Sequence, residues 1–147
     1  MFPFSLKHRV VANVDKTTTS LINVFRRELE LLEPSKLAVK GDALHFECRF
    51  FRLLNSYNFL RQISEGDIFV SRFGVKVTIV YKIKFTNMVL AVTTLVLALF
   101  TYPIWHASNQ DIAEKIEILL GMWMWLVGGN YFFAAIRFNQ FIRRCLI

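Results

Sequence analysis

Two runs without a single charged side chain set the terms on which this sequence can fold. Residues 88–105 read MVLAVTTLVLALFTYPIW and residues 118–136 read ILLGMWMWLVGGNYFFAAI, eighteen and nineteen residues respectively. As helices rising 1.5 Å per residue they are about 27–28 Å long, close to the roughly 30 Å hydrocarbon core of a bilayer. Thr93 and Thr94 can return hydrogen bonds to the preceding turn, and Pro103 falls where the first helix would leave the lipid. Tyr102 and Trp105 are placed for the outer interface, as amphipathic aromatics are at membrane boundaries. The competing reading, a buried helical pair in a soluble protein, is disfavoured by two such runs with aromatic ends.

The charges divide around these runs. Up to Thr86 there are 14 Lys or Arg against 8 Asp or Glu, residues 87–136 hold one Lys and three acids, and residues 137–147 add three Arg. The loop between the runs is acidic, with Asp111, Glu114 and Glu117 against Lys115, whereas Lys76, Lys82 and Lys84 precede the first run and Arg137, Arg143 and Arg144 follow the second. By the positive-inside rule both termini face the cytoplasm, and a bacterial inner membrane is the expected location. The first residues carry Lys7 and Arg9 where a signal peptide needs its apolar core, so no secretory leader is expected. A net charge of +7 and a pI near 9.7 would also suit nucleic acid. Many of the cations flank the apolar runs, however, which favours anionic lipid headgroups over a nucleic acid polymer. Cys48 and Cys145 lack any partner spacing and read as free apolar thiols, not as a disulfide or metal pair.

Within the second run, Gly121, Gly128 and Ala135 recur every seven residues and form a small-residue seam where another helix can approach closely. That helix is the first run, another copy or a different subunit. Asn130 is the one strong amide of the run, and interhelical hydrogen bonding explains it better than conduction does.

The first 86 residues read as an α+β domain. Residues 2–14 alternate as a half-buried strand with Leu6, His8, Val10 and Ala12 on one face. A capping run follows, then an amphipathic helix carrying Leu21, Ile22, Phe25, Leu29 and Leu32, closed by Pro34. Residues 37–40 and 43–51 form a hairpin about Gly41-Asp42, and residues 53–63 are less regular. Residues 67–71 and 75–86 supply two more strands around Phe73-Gly74. The expected fold is α+β: a small, mainly antiparallel sheet with one covering helix, followed by a two-helix transmembrane hairpin. The domains are 1–86, a cytosolic α+β unit; 87–136, the hairpin with helices at about 88–105 and 118–136; and 137–147, an interfacial amphipathic tail. The tail places Phe138, Phe141, Ile142, Cys145 and Leu146 on one face, which suits lipid, with docking on the soluble domain as the alternative. The last strand meets the first apolar helix without a linker, with Asn87 as its expected cap. A displaced sheet would therefore act directly on that helix.

Chemistry is harder to find. His8, His45 and His106 are scattered, and His45-Phe46-Glu47 matches half of a zinc-deaminase signature without its P-C-x-x-C partner. No nucleophile elbow or phosphate loop is present, so neither a cofactor nor an enzyme is expected. Arg49, Arg52, Arg61 and Arg72 are interleaved with Phe50, Phe51, Tyr57, Phe59 and Phe73, a mixture able to hold a small phosphorylated ligand by charge and stacking. The expected function is a noncatalytic integral membrane subunit whose cytosolic domain binds a protein partner or itself. A ligand-gated membrane effector or pore-forming protein is the first alternative, and a membrane-bound enzyme without an identifiable motif is the second.

Overall fold

The structure is a computed structural model that describes residues 4–49, 59–105 and 112–146, with side chains described except at 59, 61 and 100–105. Five strands and one helix follow in the order β1 (Ser5–Asn13), α1 (Thr18–Glu30), β2 (Lys36–Lys40), β3 (Ala43–Glu47), β4 (Glu65–Phe73) and β5 (Lys76–Lys84). A short 3-10 helix, Phe59–Gln62, precedes β4, and α2 (Thr86–Trp105) and α3 (Ile112–Leu146) complete the chain. The strands form one antiparallel sheet in the order β1-β5-β4-β3-β2. The expected α+β class and antiparallel sheet are therefore present.

Local chemistry explains the elements. Thr17 caps α1 by accepting a hydrogen bond from the Ser20 amide at 3.2 Å. Both two-residue hairpin loops begin with glycine at left-handed φ, Gly41 at 59° and Gly74 at 61°, as turns matched to strand twist require. Gly66 has a different reason. A Cβ there would run into the ring of Phe46 on the neighbouring strand, so the missing side chain makes room for that ring.

One sheet face is apolar. It carries Val10, Leu44, Phe46, Ile68, Val70, Val77, Ile79, Tyr81 and Ile83, all buried. Five strands at about 4.8 Å span roughly 19 Å, whereas one helix with its side chains covers about 10–12 Å. A single helix cannot cover such a face. Here α1 covers it through Leu21, Ile22, Phe25 and Leu29, and the C-terminal half of α3 lies beside it through Ala134, Phe138, Ile142 and Cys145. Phe138 packs between Phe46 at 6.0 Å and Tyr81 at 4.9 Å, and Phe25 meets Phe141 at 6.4 Å.

This arrangement differs from the sequence expectation in two ways. The sheet has two covering helices, not one, and residues 137–146 are no separate interfacial tail: they continue α3, with the Phe138, Ile142 and Cys145 stripe turned into the core. The stripe begins before the expected boundary, because Val127, Tyr131 and Ala134 continue it at helical spacing. The other correction concerns the hairpin. Among the described residues, α3 is long and apolar enough to cross a membrane, but the described apolar part of α2, Thr86–Leu99, is not.

Candidate membrane interface and its junction with the sheet

The apolar half of α3 is exposed, not hidden. Ile118, Leu120, Met122, Met124, Trp125, Phe132, Phe133 and Ile136 all face outward, and only 11% of the helix's most apolar stretch is buried. The core helix of a soluble protein would be mostly buried, and this surface is instead consistent with an apolar environment. At residue 137 the exposed side chains change character, to Arg137, Gln140, Arg143 and Arg144. From Ile118 to Ile136 the exposed apolar stretch is about 28 Å long.

The helix α2 runs antiparallel beside α3. The Trp123 indole N–H donates to the Thr93 hydroxyl at 2.8 Å, while Val89 and Val96 of α2 and Val127 of α3 are buried along the pair. The small-residue seam takes no part in this packing: a Cβ at Gly121 or Gly128 would meet nothing within 4 Å. Ala135 is half-buried, and its neighbour Ala134 is the alanine enclosed by the sheet. Because successive residues are about 100° apart around a helix, the face that meets α2, containing Trp123 and Val127, cannot also present Gly121 and Gly128. The seam is open to solvent or lipid.

Asn130 has a partner, but not on α2. Its Oδ1 accepts a hydrogen bond from Gln62 Nε2 at 2.8 Å and its Nδ2 donates to the Leu126 carbonyl at 2.7 Å. The 3-10 helix thus reaches α3 at the level where α2 leaves the sheet. Ser64 completes this junction. Its amide donates to the Lys84 carbonyl at 2.7 Å, and its hydroxyl accepts from the Asn87 amide at 2.8 Å. The first helical bond of α2 runs from Val89 to the Phe85 carbonyl, which puts a phenylalanine at the capping position, so the capping oxygen comes from Ser64 in another segment and not from Asn87. Phe85 instead packs on Tyr131 at 4.7 Å. Sequence periodicity could not have revealed Ser64 or Gln62, since both act across the fold.

The remaining expected site residues whose side chains are described are dispersed. Lys82 is exposed on the open sheet face, and Lys84 pairs with Glu65, whose hydrogen bond holds the ammonium pKa above its usual value. The side chains of Tyr102 and Trp105 lie outside the described residues, as do Arg52 and the side chain of Arg61. Arg49 is exposed just beyond β3. Arg72 sits at the opposite end of β4, where its Nε donates to the Gly74 carbonyl at 2.8 Å and its Nη1 to that of Lys16 at 3.1 Å. The seven residue steps from Glu65 to Arg72 extend about 23 Å, so Arg49 and Arg72 do not share a ligand site. Arg72 is a clamp for the β4–β5 hairpin.

On the open sheet face, His45 Nδ1 lies 2.7 Å from Asp67 Oδ1, and its Nε2 lies 3.5 Å from Glu47 Oε1. The hydrogen bond to Asp67 is the main cause of a raised His45 pKa. Glu47 also pairs with Lys36 at 3.0 Å, chiefly lowering its own pKa. No group of three metal-ligating side chains with suitable placement occurs among the described residues. Together these features describe an α+β protein with one long, exposed apolar helix, consistent with membrane association. No family model, curated protein or solved structure matches the chain.

Proposed function

We propose that the chain is a noncatalytic membrane-anchored subunit. In this reading α3 crosses the bilayer with the 20-residue α2, Thr86–Trp105, crossing antiparallel beside it, both termini are cytoplasmic, and the sheet is held at the membrane surface with its uncovered face available to a protein partner or a second copy. The observation that carries the reading is the change along α3 from exposed apolar side chains, ending at Ile136, to exposed cations at Arg137, Arg143 and Arg144. A helix with that sequence of surfaces is stable when its first half is in lipid and its second half is at an anionic headgroup layer.

Insertion is tested by reconstituting the chain into vesicles and washing with alkaline carbonate. Retention in the membrane is expected, and complete extraction would sink the proposal. A cysteine introduced at Lys76, on the sheet, should be blocked by an impermeant thiol reagent only from the side on which the termini lie. In mild detergent or nanodiscs the protein should be recovered with a partner or as an oligomer; a lone monomer under all conditions would count against the subunit role.

The continuous junction favours one second reading, a membrane effector in which movement of the sheet re-packs α2 against α3. Phe85, Ser64 and Gln62 tie the sheet to both helices without slack. Dye-loaded vesicles distinguish the two roles. An anchor leaves the dye trapped, whereas an effector releases it on ligand addition and loses that release when a Gly/Ser segment is inserted between Phe85 and Thr86.

A further inference from the structure

A groove of about 750 Å³ opens between α1 and α3 on the side away from the sheet. The two helices are antiparallel. Helix α1 ends next to β2, whose first residue, Lys36, is at the junction end of the sheet opposite Glu47, which in turn lies opposite Glu65 and then Lys84. Helix α3 starts from the membrane side and ends at the far end of the sheet. Leu31 and Arg137 therefore mark the membrane end of the groove, and Lys16 and Arg144 its far end.

The floor is apolar, made by Val24, Leu32 and Phe141. Its rim carries Lys16, Arg137 and Arg144 against the single acid Glu28, and none of the three cations forms an ion pair among the described residues. Cys145 contributes a neutral wall, its thiol pKa pushed up to about 12 by burial and secondarily by Glu28. Upward along α3, Phe133 and Ile136 precede Arg137 and Gln140 by one turn on the same stripe and are exposed, as is Leu31 at 71%. Above Arg137 and Gln140 the groove thus continues into the apolar surface assigned to the bilayer.

We infer that this groove binds one anionic phospholipid, with its phosphate between Arg137 and Arg144 and its acyl chains rising along Phe133 and Ile136. Charge complementarity selects the headgroup: the excess of two cations in a partly enclosed site attracts phosphate strongly, and arginine presents paired donors to it. Continuity with Phe133, Ile136 and Leu31 selects a lipid over a soluble phosphate ester, because those side chains offer contact only to a ligand with a long apolar part. This inference rests on the membrane reading and extends it to a defined ligand.

The test uses the full chain, delipidated in detergent and titrated with short-chain phosphatidylglycerol, short-chain phosphatidylcholine or glycerol phosphate, with bound ligand counted by native mass spectrometry. One phosphatidylglycerol per chain is expected, with Arg137→Gln/Arg144→Gln weakening it by roughly thirtyfold. Val24→Trp, which fills the floor without changing charge, should also displace the lipid. Arg9→Gln/Lys76→Gln removes the same charge from the open sheet face and should leave binding unaltered. Equal retention of phosphatidylcholine, equal binding of glycerol phosphate, or equal loss in the sheet-face variant would each overturn the assignment. If the protein resists carbonate extraction yet retains no lipid, the groove inference fails while the anchor reading stands; if it is extracted, the anchor reading fails first.

Discussion

The two halves of α3 are one continuous helix with two different surfaces. Its first half exposes Met124 at 64% and Trp125 at 79%, and its second half hides Phe138 and Ile142 completely. The difference lies in how apolar residues are distributed around the axis. Residues 118–136 are apolar on nearly every side, which a folded aqueous domain cannot satisfy, whereas residues 137–146 confine apolar side chains to the stripe facing the sheet and carry Arg137, Arg143 and Arg144 elsewhere. Rigidity follows from this continuity. In the proposed membrane setting, an orientation imposed on the upper half is passed to the sheet through the same backbone.

Substituting one aromatic in each half gives the sharpest contrast. Phe138 fills the space between Phe46 and Tyr81, so Phe138→Ala should lower unfolding stability in detergent by about 3–5 kcal/mol. Trp125→Ala removes a side chain that touches little of the protein and should change the same measurement by less than about 0.5 kcal/mol. Equal losses at the two positions would mean that the upper half is also core.

The sheet side of the contact is next in size. Gly66→Ala would drive a methyl group into the Phe46 ring, whose movement is limited by its packing against Phe138. A loss of about 1–3 kcal/mol in chemical denaturation is expected from such overpacking. Phe46→Leu in the same chain should recover part of it, and the absence of any recovery would show that the strain resides elsewhere.

Much of this architecture is legible in the residues. Alternation in β1 and β5, the stripe of α1 and the turns at Gly41 and Gly74 all express local rules that a single strand or turn obeys by itself, although the second loop is Gly74-Val75, one residue later than the expected Phe73-Gly74. The second covering helix is harder to see because two patterns overlap on it. Between Val127 and Ile136 the chain satisfies both the all-round apolar pattern of a membrane segment and the one-sided stripe of a sheet cover, and the first obscures the second. The width of the sheet supplies the missing constraint, since an apolar face of five strands needs two helices. The junction is illegible for another reason: Ser64, Gln62 and Asn130 are neighbours only after strand pairing has set the register. For Arg49 and Arg72 the difficulty is the opposite, because their nearness in sequence is undone by the length of β4.

A smaller effect marks the boundary between the halves. The Gln62–Asn130 hydrogen bond is partly buried, so replacing either residue by leucine should cost about 0.5–1.5 kcal/mol. Because each single variant leaves the other amide without its partner, the double variant should cost less than the sum. A double-mutant cycle in detergent gives the coupling directly. Coupling indistinguishable from zero would show that the bond does not join the 3-10 helix to α3.

The smallest expected effect lies on the open sheet face, remote from both halves of α3. His45 has its folded pKa raised, first by the hydrogen bond to Asp67 and in addition by Glu47, despite opposing desolvation. A proton is therefore held more tightly in the folded than in the unfolded chain. The resulting stabilisation is fully present below the unfolded pKa of about 6.5 and is lost as pH rises through the raised folded value. The side chain is 40% exposed, so solvent screens the contribution and only a slight decline is expected. Thermal unfolding at low ionic strength from about pH 5 to 8 should show it, with His45→Gln flattening that part of the profile. A wild-type profile that rises across this interval, with the rise abolished by His45→Gln, would reverse the sign and show that the imidazole is held neutral in the folded protein.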